Sequence, residues 1–406
     1  MTVRLVVTAG PHVGKEFAFD RHDTFLVGRT KDAHLQLSYD DPYFSRRHFL
    51  VEVNPPRVRV IDLQSRNGSH VNGQRVESAE LRNGDEIRAG HTVFRVLVPT
   101  PDPEEQRTLD LPPDGPPSWQ RAEGTATFRG STNLPGYTLG AELGRGGMGV
   151  VYRGVRVADG ATVAVKMITP SAGVSSKQIK RFIREAEVTA ALAHPHVVQH
   201  LDSGTVDGVV FLVMELIEGP DAARLLEMKG PLSIPTAVRI ACQMLVGLGH
   251  AHGKGFVHRD IKPSNLLIGG ASGKRTVKVA DFGLARAYDE CNLSGLTMQG
   301  EVAGTPAYMA PEQVTHFREV KPAADQYSAA ATLYALLTGS TPIDMPKDMA
   351  RQIAAVVNSD PVPIGEHRAE VPVGLSEAVH TALARDPASR FSNVDAFRAA
   401  LVPFAS

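Results

Sequence analysis

Cysteine and tryptophan are almost missing from this chain: two of the first and one of the second in 406 residues. Cys242 and Cys291 stand far apart and without metal-ligand spacing, which argues against a disulfide scaffold and suits a reducing compartment. An excess of either charge is missing too. With 43 Lys and Arg against 44 Asp and Glu, there is no overall basic field to draw nucleic acid or an anionic membrane. Any recognition of phosphate has to come from local clusters. No apolar run approaches the roughly 18 residues of a membrane span, and the first ten residues, MTVRLVVTAG, are too short and too alternating for a signal peptide. These absences leave a cytoplasmic chain with no membrane span and no nucleic-acid partner as the expectation. What is plentiful is apolar content, 42%, enough at this length to give each of two or three domains its own core.

The most informative stretch is His258 to Leu267, HRDIKPSNLL. It holds a carboxylate (Asp260), an ammonium (Lys262) and an amide (Asn265) within six residues, and Pro263 prevents a regular helix from running through them. One loop can therefore aim three different groups at one point. Phosphoryl transfer wants this trio: a carboxylate to orient a hydroxyl and take its proton, a cation beside the moving phosphoryl group, and a neutral oxygen for a metal that bridges the phosphates. The string resembles the catalytic loop of protein kinases, H-R-D-x-x-x-x-N, with the lysine two residues after the Asp that serine/threonine kinases carry.

Residues 1–98 read as an all-β sandwich. Short β-rich runs at Val3 to Val7, Phe25 to Val27, Phe49 to Val53, Val58 to Leu63 and Thr92 to Val98 are punctuated by Asn67-Gly68, Asn72-Gly73 and Asn83-Gly84, with no helical periodicity. The loops carry Gly28-Arg29, Ser45-Arg46-Arg47-His48, Ser65-Arg66-Asn67-Gly68-Ser69 and Val71-Asn72-Gly73. Together these resemble the forkhead-associated (FHA) domain, with Ser69 where Thr is frequent. The resemblance implies a phosphothreonine-peptide reader in which Arg29, Ser45 and Arg46 hold the phosphate, Arg66 and Asn67 hold the peptide, and His48 braces the loop from within. A guanidinium fork and a hydroxyl suit a group with close to two negative charges and three acceptor oxygens.

From residue 99 to 136 the chain turns rich in Pro, Gly, Asp, Glu, Ser and Thr, too poor in apolar residues to fold alone. It reads as a Pro-rich flexible linker that would span on the order of 35 Å as a coil. Thr108, Thr125, Thr127 and Thr132 lie on it. Two readings stay open: sites of autophosphorylation, through which the FHA part would dock its own or another copy in self-association, and an inert spacer.

Residues 137–404 continue the kinase resemblance. Gly144, Gly146 and Gly149 punctuate a strand-turn-strand, where glycine lets backbone amides approach phosphates, and Val163-Ala164-Val165-Lys166 follows at short distance. Ile179, Phe182, Ile183, Ala186 and Ala190 form a helical stripe beside Glu185. Later come Val209 to Leu216, then Val277 to Gly283 with Asp281-Phe282-Gly283, and Gly304 to Glu312 ending in Ala-Pro-Glu. The resemblance implies ATP contacts from Gly144, Gly146, Gly149, Val151, Ala164, Lys166, Glu215 and Ile217, with Met214 behind the pocket. It implies catalytic roles for Asp260, Lys262, Lys166 and its partner Glu185 (Glu187 being the competing candidate), and Mg2+ held by Asn265 and Asp281. Asp325 would brace the catalytic loop and Arg390 would pair with Glu312. Ala330 departs from the family's usual Gly. Ser294 and Thr297 stand as candidate phosphosites that Arg259 could read once modified, Thr305 points to serine/threonine substrates, and Cys291 reads as bland.

The expectation is thus a multidomain chain, an all-β FHA-like sandwich followed by a two-lobed α+β protein kinase fold, using ATP and Mg2+ on protein serine or threonine. Two alternatives are a pseudokinase scaffold and a phosphopeptide-binding protein whose kinase part modifies only itself.

Overall fold

The structure, a computed structural model, describes residues 2–37, 41–99, 134–146, 149–168, 192–270, 275–282 and 306–406, together with the helical residues Ile179, Phe182, Ile183 and Ala186. Most of the linker with its four threonines, Glu185, Glu187, Ser294, Thr297, Thr305 and Cys291 lie outside the described residues.

The first part is a sandwich of a six-stranded and a five-stranded sheet. The five-stranded sheet contains β3 (Asp23–Gly28), β5 (Phe49–Asn54) and β6 (Arg57–Asp62), paired antiparallel in that order. Alternation places Phe25, Val27, Phe49, Val51, Val53, Val58 and Val60 in the sandwich core. Leu26, Leu50 and Ile61 point the other way, and they are just as buried. Their cover is the last third of the chain.

The second part begins with a five-stranded antiparallel sheet, order β12 (Tyr137–Gly146), β13 (Gly149–Arg156), β14 (Thr162–Ile168), β16 (Val209–Glu215) and β15 (His200–Val206). Val163, Val165 and Met167 face one apolar cluster. Ala164, Lys166 and Ile168 therefore face the opposite side, where Ile168 meets Phe182 and Ala186. Below lies a helical lobe built around two long helices, α1 (Ile234–Gly253) and α2 (Pro322–Thr338). Helix α2 is buried nearly all round, Ala330 included, as a helix at the centre of a lobe must be.

A further apolar cluster joins the two parts. Leu26, Leu50, Ile61 and Leu63 of the sandwich pack with Met309, Val314, Ile353, Ala354, Val356 and Val357 of the helical lobe. The helix α3 (Met349–Asn358) supplies most of that second side. Polar contacts frame the seam: Asn358 donates to the Leu63 carbonyl at 2.8 Å, the Phe317 N–H to Thr24 Oγ1 at 3.2 Å and Arg318 to the His22 carbonyl at 2.9 Å. Among the described residues no helix is long and apolar enough to cross a membrane.

Candidate functional site

The catalytic-loop trio converges as its sequence suggests it could. Pro263 opens a short 3-10 turn, Pro263–Asn265, that swings the amide of Asn265 back onto the loop. Asn265 Nδ2 donates to the Asp260 carbonyl at 2.7 Å and to Asp260 Oδ2 at 3.1 Å, while Lys262 Nζ lies 2.9 Å from the same oxygen. The carboxylate is thus held from two sides.

Beneath it, Asp325 is fully buried and accepts from the His258 and Arg259 backbone N–H groups at 2.7 and 2.8 Å and from His252 Nε2 at 2.8 Å. Burial alone would push this carboxyl up, but His252, His258 and the backbone bond more than offset that and hold it below the usual carboxylate range. Arg259 is left at φ 69°, a left-handed conformation kept in place by those bonds and by Gln313, which donates to its carbonyl at 2.7 Å. His258 donates from Nε2 to the Ala280 carbonyl at 2.8 Å, tying the loop to the strand end that carries Asp281. Arg390 grips Glu312 with two bonds of 2.6 and 2.9 Å, anchoring the segment after Ala-Pro-Glu.

Asp281, also at a positive φ of 60°, receives Lys166 Nζ at 2.9 Å. Burial again opposes the charged carboxylate, and Lys166 reverses the effect, so its pKa lies below the ordinary value. Lys166 itself is only 6% exposed and the Asp281 side chain 23%, so the ammonium is the more desolvated partner of this pair. On the sheet above, Val151 lies directly opposite Lys166 and Met214 opposite Ala164. Directly opposed residues share a face, so Val151, Ala164, Lys166 and Met214 line one surface. Gly149 sits at φ 131°, and a Cβ there would come within 2.1 Å of the Met167 carbonyl oxygen. Only glycine fits at this position. Gly146 pairs with Gly149 across the turn, and Gly144 has open space above it. Glu215 turns its side chain to Lys278, 2.6 Å away, leaving its backbone to the strand end beside Ile217.

No cluster of three His, Cys, Asp or Glu able to hold a metal occurs among the described residues. The site does offer oxygens of the kind a hard cation takes. Asn265 spends its N–H groups on Asp260 and keeps Oδ1, and Asp281 keeps Oδ1 while Oδ2 meets Lys166. One carboxylate and one amide fit an ion such as Mg2+ that retains several waters and shares phosphate oxygens.

On the sandwich, Gly28 allows the two reading loops to touch, since a Cβ there would meet the Arg46 carbonyl oxygen at 2.2 Å. Arg29 N–H donates to the Ser45 carbonyl at 3.2 Å and Thr30 N–H to that of Arg46 at 2.9 Å. Arg66 N–H donates to Ser45 Oγ at 3.0 Å, and Asn67 Nδ2 to the Tyr43 carbonyl at 2.7 Å. His48, wholly buried, accepts from Ser45 N–H at Nδ1 and donates to the Gly68 carbonyl from Nε2, 3.3 Å away. Burial keeps this imidazole neutral by lowering its pKa. The five phosphopeptide candidates therefore form one rim, and His48 sits under it. Arg47 lines a cleft with Arg29, Ser45, Arg46 and Arg66 but is already engaged: it pairs with Asp32 at 2.8 Å and reaches the Val357 carbonyl of the helical lobe at 3.4 Å.

Comparison with known proteins follows the same division. The protein kinase domain family matches residues 137–402 and the FHA domain family residues 25–90. The serine/threonine-protein kinase pkn3 of Myxococcus xanthus is 32% identical over 285 residues, 69% of this chain and 52% of that protein. PknD of Mycobacterium tuberculosis is 37% identical over 256 residues, 63% of this chain and 37% of its own length. The chain thus spans about half or less of these relatives. Among solved structures, the PknI kinase domain of Mycobacterium tuberculosis aligns with a TM-score of 0.55 at 27% identity, over 68% of this chain and 98% of that one. Rad53 residues 1–466, solved with AMP-PNP, aligns over all of both chains with a TM-score of 0.55 at 22% identity, a likeness of fold.

Proposed function

The chain belongs to the protein kinase family and carries an FHA domain, and on that premise we propose that it transfers the γ-phosphoryl group of ATP to serine or threonine hydroxyls of proteins. The observation that carries this reading is the meeting of Asp260, Lys262 and Asn265 on one loop, with Lys166 and Asp281 paired beside it. Asp260 orients the hydroxyl and accepts its proton. Lys262 neutralises charge on the phosphoryl group in flight, and Lys166 holds the α- and β-phosphates. Asn265 and Asp281 would hold Mg2+, which when bound neutralises charge on the phosphates. The glycine turn around Gly144, Gly146 and Gly149 covers the nucleotide, with Val151 and Ala164 against the base and backbone groups of Glu215 and Ile217 at its edge.

Positioning accounts for most of such a rate, because the transition state needs little covalent help. The paired Lys166 and Asp281 are prepared for it: opening that pair would free an ammonium for phosphate and a carboxylate able to hold Mg2+. The FHA rim of Arg29, Ser45, Arg46, Arg66 and Asn67 binds phosphothreonine peptides, recruiting substrates or regulating the kinase part. The near absence of cysteine suits a reducing compartment and supports a cytoplasmic setting. Incubation with radiolabelled ATP and a mixed protein substrate, followed by acid hydrolysis, tests the proposal. Label in phosphoserine or phosphothreonine is expected; label only in phosphotyrosine, or none from the wild type, would overturn it.

A further inference from the structure

A cleft of about 980 Å³ opens between the sandwich and the helical lobe, away from Asp260. Arg29, Ser45, Arg46 and Arg66 line it from one side, His316 and Arg385 from the other. The two walls are held in register by the apolar seam and by Asn358, which itself lines the cleft while donating to Leu63.

The charge in this cleft is one-sided. Two of its acidic groups are paired with cations, Asp32 with Arg47 at 2.8 Å and Glu312 with Arg390 through two bonds; Asp386 caps the turn at Ala388 and Ser389 and keeps its charge, against Arg29, Lys31, Arg46, Arg66 and Arg385. Among the described residues, Arg29, Arg46 and Arg66 have no carboxylate partner. Arg385 is fixed from behind by the Asn358 carbonyl at 2.6 Å and by the well-exposed Asp360 at 2.8 Å. The volume lies at the upper end of the roughly 300–1,000 Å³ of small-ligand pockets, which exceeds the need of one phosphothreonine side chain and leaves room for its neighbours.

We propose that the phosphothreonine site of this protein is composite: the peptide lies in the interdomain cleft, its phosphate on the FHA rim and an acidic flanking residue against Arg385 of the kinase lobe. The proposal rests on the reading of the rim as a phosphate site and adds the second wall. It makes peptide preference a property of the whole chain, because the kinase lobe reads the flank.

Phosphatase-treated full chain is titrated with two fluorescent phosphothreonine peptides that differ only in an Asp or Ala beside the phosphothreonine. The wild type should prefer the acidic peptide by roughly two- to fivefold, the size of a partly exposed ion pair. Arg385→Ala should erase that preference and keep binding, and Arg29→Ala should weaken both peptides by roughly tenfold or more. Amide exchange on the wild type, which needs no variant, should show protection at residues 358–360 and 385–389 when peptide is added. An unchanged preference in Arg385→Ala, with no protection on the kinase lobe while Arg29→Ala still loses binding, overturns the composite site and leaves the phosphate rim standing. Wild-type affinity in Arg29→Ala overturns the rim itself. Repeating the titration on ATP-treated protein separates the sources: exclusion of added peptide identifies a phosphorylated segment of this chain as the occupant, and undiminished binding identifies a foreign one.

Discussion

Arg259 and Asp281 are non-glycine residues at positive φ, one in the catalytic loop and the other at the strand end facing it. Such conformations cost on the order of 1–3 kcal/mol each and persist only where surrounding bonds over-determine them. Here Asp325 supplies those bonds for Arg259. Asp325→Ala should therefore leave two backbone donors without their partner, the buried one of His258 and the part-buried one of Arg259, at about 1–3 kcal/mol apiece; the melting temperature should fall in differential scanning calorimetry and phosphotransfer should be lost in the radiolabel assay. Gly149→Ala is expected to act on the nucleotide turn: a Cβ 2.1 Å from the Met167 carbonyl must push the strands apart, raising KM for ATP more than it lowers stability. Asp260, Lys262 and Asn265 were legible because the chemistry sits within one short string. The Lys166 to Asp281 pair joins positions 115 apart, and only resemblance could connect them before the fold did. Arg385 gave no signal, since a lone arginine before Asp-Pro looks like any surface turn.

At the scale of elements, the strands β3, β5 and β6 carried a message beyond their β character. A sandwich strand with one wet face alternates, whereas Phe49-Leu50-Val51 and Val60-Ile61 are apolar on both faces. That pattern marks a sheet covered on its outer side, and α3 is the cover. Val357→Asp on that helix should open the seam by burying an unpaired carboxylate, seen as a larger radius of gyration in small-angle scattering. His34 offers a milder lever. Its Nδ1 accepts from Leu26 N–H at 2.9 Å, its ring lies 4.5 Å from that of His316, and burial followed by His316 lowers its pKa, against the opposing pull of Asp23, Glu319 and Asp32. A depressed folded-state pKa means that the unfolded state binds the proton more readily, so the stabilisation is complete above about pH 6.5 and is lost as pH falls below it. The melting temperature should drop between pH 7.5 and 5.5, and drop less in His34→Gln.

For the molecule as a whole, two domains that could each have floated on a long linker are instead joined through a shared apolar cluster. Composition gave the number of domains and the motifs gave their kinds, but the docking depends on which side chains face outward, which a string of letters reveals only to someone who asks why a strand fails to alternate. The docked sandwich reaches Phe317, whose ring meets His22 at 4.4 Å and lies 5.7 Å under the guanidinium of Arg259, beside Asp260. The sandwich thus packs against a residue that touches the catalytic loop. The central claim, that Asp260 serves proton acceptance and orientation while Lys166, Asn265 and Asp281 hold the nucleotide and its metal, is tested most directly by separating binding from chemistry in Asp260→Asn. Calorimetric titration with ATP and Mg2+ should give an affinity close to that of the wild type while single-turnover transfer to a protein hydroxyl falls by a factor of about 100 or more. Transfer at the wild-type rate in that variant would contradict the account.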